Sequence, residues 1–197
     1  MERVTTVAWT TPAETRVRGV PGMSVTFRTA AADDFPAIWQ LYADVCEQAP
    51  RDAYQVPWAL DVYPDERDIR GHLDAGEYVV GEADGRIVCA MALTPHDDHD
   101  FAGVPWHVDA AFDEVSVIHL LCVHPSARGQ GLGAALTNEA IRRSQQLGKK
   151  ALRLDVVHDN LVASRIYRSC GFVFVGSTEA FYEDSGHIVF DMYELAL

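Results

Sequence analysis

Cysteine, basic charge and long apolar runs are all scarce in this chain, and each shortage excludes something. The four cysteines, Cys46, Cys89, Cys122 and Cys170, are scattered without a Cys-x-x-Cys pair. That spacing speaks against a zinc ribbon or a disulfide framework and for buried free thiols in a reducing cytoplasm. No apolar run approaches eighteen residues and no signal-peptide stretch opens the sequence, so a soluble, cytoplasmic protein with no membrane partner is expected. Lys and Arg number 16 against 29 Asp and Glu, a net charge of −13. Such an acidic chain is a poor ligand for nucleic acid.

At 197 residues, 48% of them hydrophobic, the chain is long enough for one domain with a real core. Residues 1–22 lack sustained periodicity and read as a loose N-terminal extension, with the domain proper over 23–197. Strand and helix patterns then alternate. Strands are predicted over 24–28, 77–82, 87–93, 115–123, 151–157, 172–176 and 188–195. Helices are predicted over 31–48, 65–75, 132–147 and 161–169. An Asp84-Gly85 turn joins the second and third strands. Residues 50–64 form an aromatic connection and 95–114 an acidic loop. An antiparallel start followed by strand-helix alternation implies an α/β (α+β) fold, a mixed sheet covered by helices.

The most informative stretch is Val123-His124-Pro125-Ser126-Ala127-Arg128-Gly129-Gln130-Gly131-Leu132-Gly133-Ala134. A glycine-rich turn between a buried strand and a helix aims unpaired backbone N–H groups at one point, where the helix dipole favours an anion. The run also satisfies the G-x-G-x-x-A dinucleotide pattern. Pro125 to Arg128 nevertheless delay the turn, and Asp155 is too late and too deep in its strand for a ribose contact. Around the turn, Arg128 to Arg168 holds eight of the sixteen basic residues and only Glu139, Asp155 and Asp159 as acids. This segment is +5 in a remainder of −18, which suggests a multiply charged anionic ligand. A solvated helix face is the alternative for Arg142 and Arg143.

Arg128-Gly129-Gln130-Gly131-Leu132-Gly133 fits the Arg/Gln-x-x-Gly-x-Gly/Ala signature of the GNAT N-acetyltransferases, and Asn160, Ala163, Tyr167 and Gly171-Phe172 follow at that family's spacing. The chain resembles this family from about residue 24 onward. The resemblance implies a sheet that splays centrally and acetyl-CoA as acyl donor, with no metal. It places the pyrophosphate on Arg128, Gly129, Gln130, Gly131, Leu132, Gly133 and Ala134. It places the pantetheine along Leu121, Cys122 and Val123, with Asn160 bonding it and Tyr167 reaching the sulfur. Arg165 and Arg168 are candidates for the adenosine 3′-phosphate on charge alone. The family's oxygen stabiliser is a backbone N–H, here that of Cys122 or Val123.

The implied chemistry needs a base and an acid. Tyr167 is the candidate acid, though it also lies on an apolar stripe with Ala163, Ile166 and Cys170 and so fits a core role. His119 is the candidate base, expected on the same strand face as Val117 and Leu121. It matches the second histidine of the His-x-His of arylalkylamine N-acetyltransferases. Val117 stands at the first position, where several protein-acetylating relatives carry glutamate. Glu114 acting through water is the other candidate, and His124 reads as structural. His96-Asp97-Asp98-His99-Asp100 resembles metal ligands superficially, but an exposed loop gives such ligands no orienting partners.

Six acids between Asp97 and Glu114, with Trp58, Tyr63 and Trp106, could bind a cation by charge and ring faces. The expected activity is transfer of an acetyl group to the primary amine of a small cationic molecule, by direct attack in a ternary complex. A protein N-terminus or lysine is the alternative acceptor. A non-catalytic acetyl-CoA-binding module is the alternative class. The sequence leaves a homodimer open.

Overall fold

A computed structural model describes residues 13–16, 24–52, 57–98, 101, 103–182 and 186–197. Eight strands form one sheet: β1 (Ala13–Arg16), β2 (Ser24–Thr29), β3 (Tyr78–Ala83), β4 (Arg86–Thr94), β5 (Val115–Val123), β6 (Ala151–Val157), β7 (Val173–Tyr182) and β8 (Gly186–Ala196). Their order is β1-β2-β3-β4-β5-β6-β8-β7. Every neighbouring pair is antiparallel except β5 and β6. Among the described residues no helix is long and apolar enough to cross a membrane.

Helices α1 (Phe35–Gln48) and α2 (Glu66–Asp74) cover one face, burying Ile38, Leu41, Tyr42, Val45, Ile69 and Leu73 against Tyr78, Val80, Ala90 and Ala92. Helices α3 (Leu132–Gln146) and α4 (Leu161–Ser169) cover the other, where Leu132, Leu136, Ala140 and Tyr167 meet Val79, Met91, Leu93, Leu152 and Leu154. Neighbouring residues of β3 thus serve opposite cores, as a strand's two-residue period requires. Asp65 caps α2 by accepting from the N–H groups of Arg67 and Asp68 at 2.7 and 2.9 Å. Within the segment expected to lie outside the domain, Ala13–Arg16 pairs with β2 at the sheet edge. The final hairpin is longer than its apolar pattern predicts. β7 stands largely exposed on both faces, so alternation carries no signal there.

Two irregularities in β5 shape everything downstream. Parallel pairing with β6 covers only Val115↔Ala151, Ser116↔Leu152 and Val117↔Arg153, after which the two strands continue apart. This is the central splay. On the opposite edge, Ala90 pairs with Cys122 and Ala92 with His119, so Leu120 and Leu121 both stand opposite Met91. Leu120 takes φ +54° to make this bulge, a left-handed conformation that costs a leucine about 1–2 kcal/mol. Tyr42 on α1 donates its hydroxyl hydrogen to the Leu120 carbonyl at 2.5 Å, and Tyr78 donates to Tyr42 at 2.8 Å. The bulge resets the side-chain alternation. His119, Leu120 and Cys122 all face α1 and α2, whereas Ile118, Leu121 and Val123 face α3 and α4. The expectation that His119 and Leu121 share a face is therefore corrected: a period-two count fails across a bulge.

The basic face expected on α3 is also corrected. Arg143 is 2% exposed, its Nε donating to Glu139 at 2.7 Å and its Nη1 to the Thr29 hydroxyl at 2.9 Å. Arg142 bonds the same carboxylate. Burial alone would raise the Glu139 carboxyl, but its two arginine partners outweigh that and hold it low. Removing the carboxylate would strand a buried guanidinium. Glu139→Ala should cost about 3–5 kcal/mol in urea denaturation, with Glu139→Gln losing less; a change under about 1 kcal/mol in Glu139→Ala would contradict the burial argument.

Candidate active site

The turn after β5 is built for an anion by its backbone. Gly129 and Gly131 have φ values of +75° and +78°, and Gly131 caps α3 in the left-handed conformation. Gly133 serves packing instead, since a Cβ there would meet Ile166 Cδ1 at 3.0 Å. On either side of the turn the Arg128 N–H donates to Pro125 and the Ala135 N–H to Gly131. The N–H groups of Gly129, Gln130, Gly131, Leu132, Gly133 and Ala134 between them find no acceptor among the described residues. Gln130 Oε1 is buried beside them without a partner, which marks the cradle as a place for a ligand.

Arg128 fastens this turn rather than reaching out of it. Its Nε donates to the Val123 carbonyl at 3.3 Å and its Nη1 to Asp52 at 2.5 Å. His124 is structural, as expected, joining Ser126 at 2.8 Å and Asp44 of α1 at 3.0 Å. Asn160 caps α4, its Oδ1 accepting from the Ala163 N–H at 3.1 Å, so only its amide NH₂ remains to donate. The His124 N–H donates to Val88. By alternation the Cys122 N–H also faces β4, and of the two candidate oxygen stabilisers only the Val123 N–H faces the open edge.

Tyr167 packs into the core, as its place on the apolar stripe predicts. Its ring is buried, 5.8 Å from Phe172 and 6.4 Å from Tyr193. Its hydroxyl bonds no described residue. Burial, then the charges of Asp155 and Cys170, push the phenol well above its ordinary range, so it stays protonated. Burial disfavours the thiolate at every cysteine, pushing Cys89 and Cys122 up to about 12 and raising Cys46 and Cys170.

On the opposite face of the splay His119 stacks on His72 of α2, with ring centres 5.9 Å apart. The His72 Nδ1 meets Glu77 at 2.7 Å. Nε2 of His119 lies 3.5 Å from the Thr94 hydroxyl and 3.9 Å from Asp98. Burial and the neighbouring His72 lower His119 to about 4, against opposing pulls from Asp98 and Glu77. His119 is thus neutral at pH 7, with a lone pair to offer. His72 and Glu77 carried no signal in sequence, because α2 and its following turn reach β5 only through the fold. Glu114, the other candidate base, bonds Lys150 at 2.7 Å and the Ala111 N–H at 2.9 Å, where β5 and β6 are still paired.

The +5 segment also proves to be neutralised in space. Arg128 pairs with Asp52, Lys150 with Glu114, and Arg153 with Asp97 and Glu194. Lys149 donates to the carbonyls of Pro95 and Asp113. Arg165 and Arg168, like Lys149, have no carboxylate ion-pair partner among the described residues. Arg168 instead approaches the Tyr193 hydroxyl at 3.3 Å. Asp97, committed to Arg153, is no free metal ligand; His99 and Asp100 lie outside the described residues.

The depressed His119 fixes a sign. The unfolded chain takes up this proton near 6.5 and the folded chain near 4, so stability is retained above 6.5 and lost as pH falls from 6.5 to 4. Ring-nitrogen NMR should show a His119 midpoint well below 6.5, and acid destabilisation should shrink in His119→Gln. A midpoint at or above 6.5 would overturn the assignment.

The geometry agrees with comparisons to known proteins. The acetyltransferase (GNAT) family model matches residues 38–172. A mycothiol acetyltransferase of Sanguibacter keddieii is 33% identical over 101 residues, covering 50% of this chain but 29% of that protein. The uncharacterized N-acetyltransferase YesJ of Bacillus subtilis is 29% identical over 118 residues, 60% of this chain and 64% of its own. A GNAT-family acetyltransferase structure from Listeria monocytogenes superposes with a TM-score of 0.72 at 21% identity, covering 94% of this chain and all of the other. A Salmonella typhimurium structure solved with its cofactor acetyl-CoA gives 0.61 at 18%, covering 88% and 94%. On the family match and the fold together, the chain belongs to the acetyltransferase (GNAT) family.

Proposed function

We propose that this protein transfers the acetyl group of acetyl-CoA to the primary amine of a small cationic molecule, by direct attack in a ternary complex. One observation carries the reading. The gap between β5 and β6 has an anion cradle at one side and a neutral histidine among carboxylates at the other.

The donor side fits coenzyme A. The N–H groups of residues 129–134 would hold the pyrophosphate and the Asn160 amide and Val123 backbone the pantetheine. Arg165 and Arg168, which have no carboxylate ion-pair partner among the described residues, would meet the 3′-phosphate. When bound, acetyl-CoA supplies an acetyl group activated as a thioester. The chain's own residues handle protons. An amine with a pKa near 10.4 costs about 4–5 kcal/mol to deprotonate at pH 7, and His119 Nε2 would accept the proton as the attacking nitrogen bonds to the acetyl carbon and becomes more acidic. Tyr167 Oη holds the proton for the departing sulfur. The Val123 N–H is a donor for the carbonyl oxygen. The raised cysteine thiols support direct attack over an acyl-cysteine route.

Coenzyme A release, followed by thiol detection across a panel of amines and peptides, tests the reading. Turnover with small amines supports it, whereas peptide-only turnover moves the acceptor to protein. Binding without any acceptor makes the chain a sensing module. Tyr167→Phe should lower kcat about 100-fold while leaving acetyl-CoA affinity within twofold; a wild-type rate would return Tyr167 to the core alone. Gly131→Asp, which places a carboxylate in the cradle at a left-handed position, should abolish acetyl-CoA binding in a folded protein. Unchanged affinity would remove the pyrophosphate from this turn.

A further inference from the structure

The last residues that β5 and β6 share are Val117 and Arg153. Two positions further along each strand stand His119 and Asp155, and the bulge begins only after His119. The two-residue period therefore puts both side chains on the face of Val117 and Arg153, one on each lip of the gap. Other contacts identify that face. Val117 packs with Phe101 and Trp106, the Arg153 guanidinium lies 4.4 Å from the Trp106 ring centre, and His119 stacks on His72.

Aromatic groups flank the Asp155 lip. Its charge raises the phenols of both Tyr63, from the connection before α2, and Tyr167, from α4, in each case after burial. Asp155 is therefore near both phenols. Tyr63 also feels Asp68, Asp98 and the Tyr182 phenol. The His119 lip is surrounded by His72, Glu77, His96 and Asp98. Arg153 is the single Lys or Arg on β5 and β6, and Asp97 and Glu194 already neutralise it.

We propose that Asp155 binds the ammonium group of the acceptor, opposite His119 across the gap, with the Tyr63 ring as a wall. This rests on the acetyl-transfer reading above and names what that reading leaves open, the residue that recognises the amine. A carboxylate at the lip makes a charge-assisted hydrogen bond to R–NH₃⁺. A neutral imidazole opposite accepts a second N–H without repelling the cation. A ring face adds cation–π attraction. The remaining carboxylates favour acceptors with a second positive charge and disfavour a negative one.

Kinetics on the full chain test this. For 1-aminobutane as acceptor, Asp155→Asn should raise KM at least tenfold, change kcat less than threefold and leave acetyl-CoA affinity within twofold. Asp155→Glu should recover most of the KM. For wild type, kcat/KM should fall from 1,4-diaminobutane to 1-aminobutane to 4-aminobutanoate, three chains of equal length and different charge. An unchanged KM in Asp155→Asn, or a series insensitive to charge, overturns the assignment while leaving acetyl transfer intact. If wild type acetylates no amine, the functional reading itself fails. Should Asp155→Asn misfold, NMR titration of wild type with 1,4-diaminobutane decides. Shifts at Asp155 and His119 support the site, and shifts confined elsewhere remove it.

Discussion

The site depends on β5 and β6 parting after three residue pairs. A strand that leaves its neighbour exposes backbone donors and acceptors that a sheet would ordinarily satisfy, and each unsatisfied buried group costs free energy. The rest of the structure holds β5 in that position. On the other edge β4 keeps its pairing through a bulge, and Tyr42 accepts the Tyr78 hydroxyl while donating to the turned-out Leu120 carbonyl. Behind β5, α1 and α2 seal the face. The parted strand then ends where the glycine turn begins, so the open edge and the row of free N–H groups are continuous.

Charge follows a different logic in space than along the chain. The basic segment reads as a reservoir of positive charge for a polyanion, yet five of its eight cations bind carboxylates, and three of them, Arg128, Lys150 and Arg153, take theirs from distant segments: Asp52, Asp97, Glu114 and Glu194. These pairs tie the connection after α1 to the glycine turn, and the acidic loop to β6 and β8. The anion site is thereby left mainly to neutral backbone dipoles, which suit a protein of net charge −13 because they need no counter-ion in the free state.

Legibility divides along the same line. From β2 onward the order of elements, the bounds of β6 and α4 and the place of the glycine turn could be read in advance, because hydrophobic period and glycine placement are local constraints. The bulge at Leu120 could not. Nothing in Val117-Ile118-His119-Leu120-Leu121 announces that a leucine will adopt a positive φ, and the count of faces beyond it failed accordingly. Buried Arg143 was equally invisible, since its partners Glu139 and Thr29 come from its own helix and from β2, 114 residues away. His72, Glu77 and Asp155 belong to the same class of misses. Each is an ordinary polar residue until α2, β3 and β6 are brought around β5.

The two sides of the gap are consequently constrained by different physics. On the cradle side Gly129 and Gly131 need positive φ, and Gly133 leaves no room for a Cβ against Ile166; substitution there disturbs the backbone before it alters any preference. On the other side, recognition is proposed to rest on side chains from the connection before α2, from α2, from the acidic loop and from both lips. Asp155 keeps its place in β6 through its neighbours Leu154 and Val156, whose pairing with Tyr193 and Asp191 is indifferent to its carboxylate. The acceptor face can therefore change its charge without reshaping the sheet, whereas the cradle cannot change at all without reshaping the turn. On the proposed reading, specificity for the amine is separable from the fold, whereas binding of the donor is part of it.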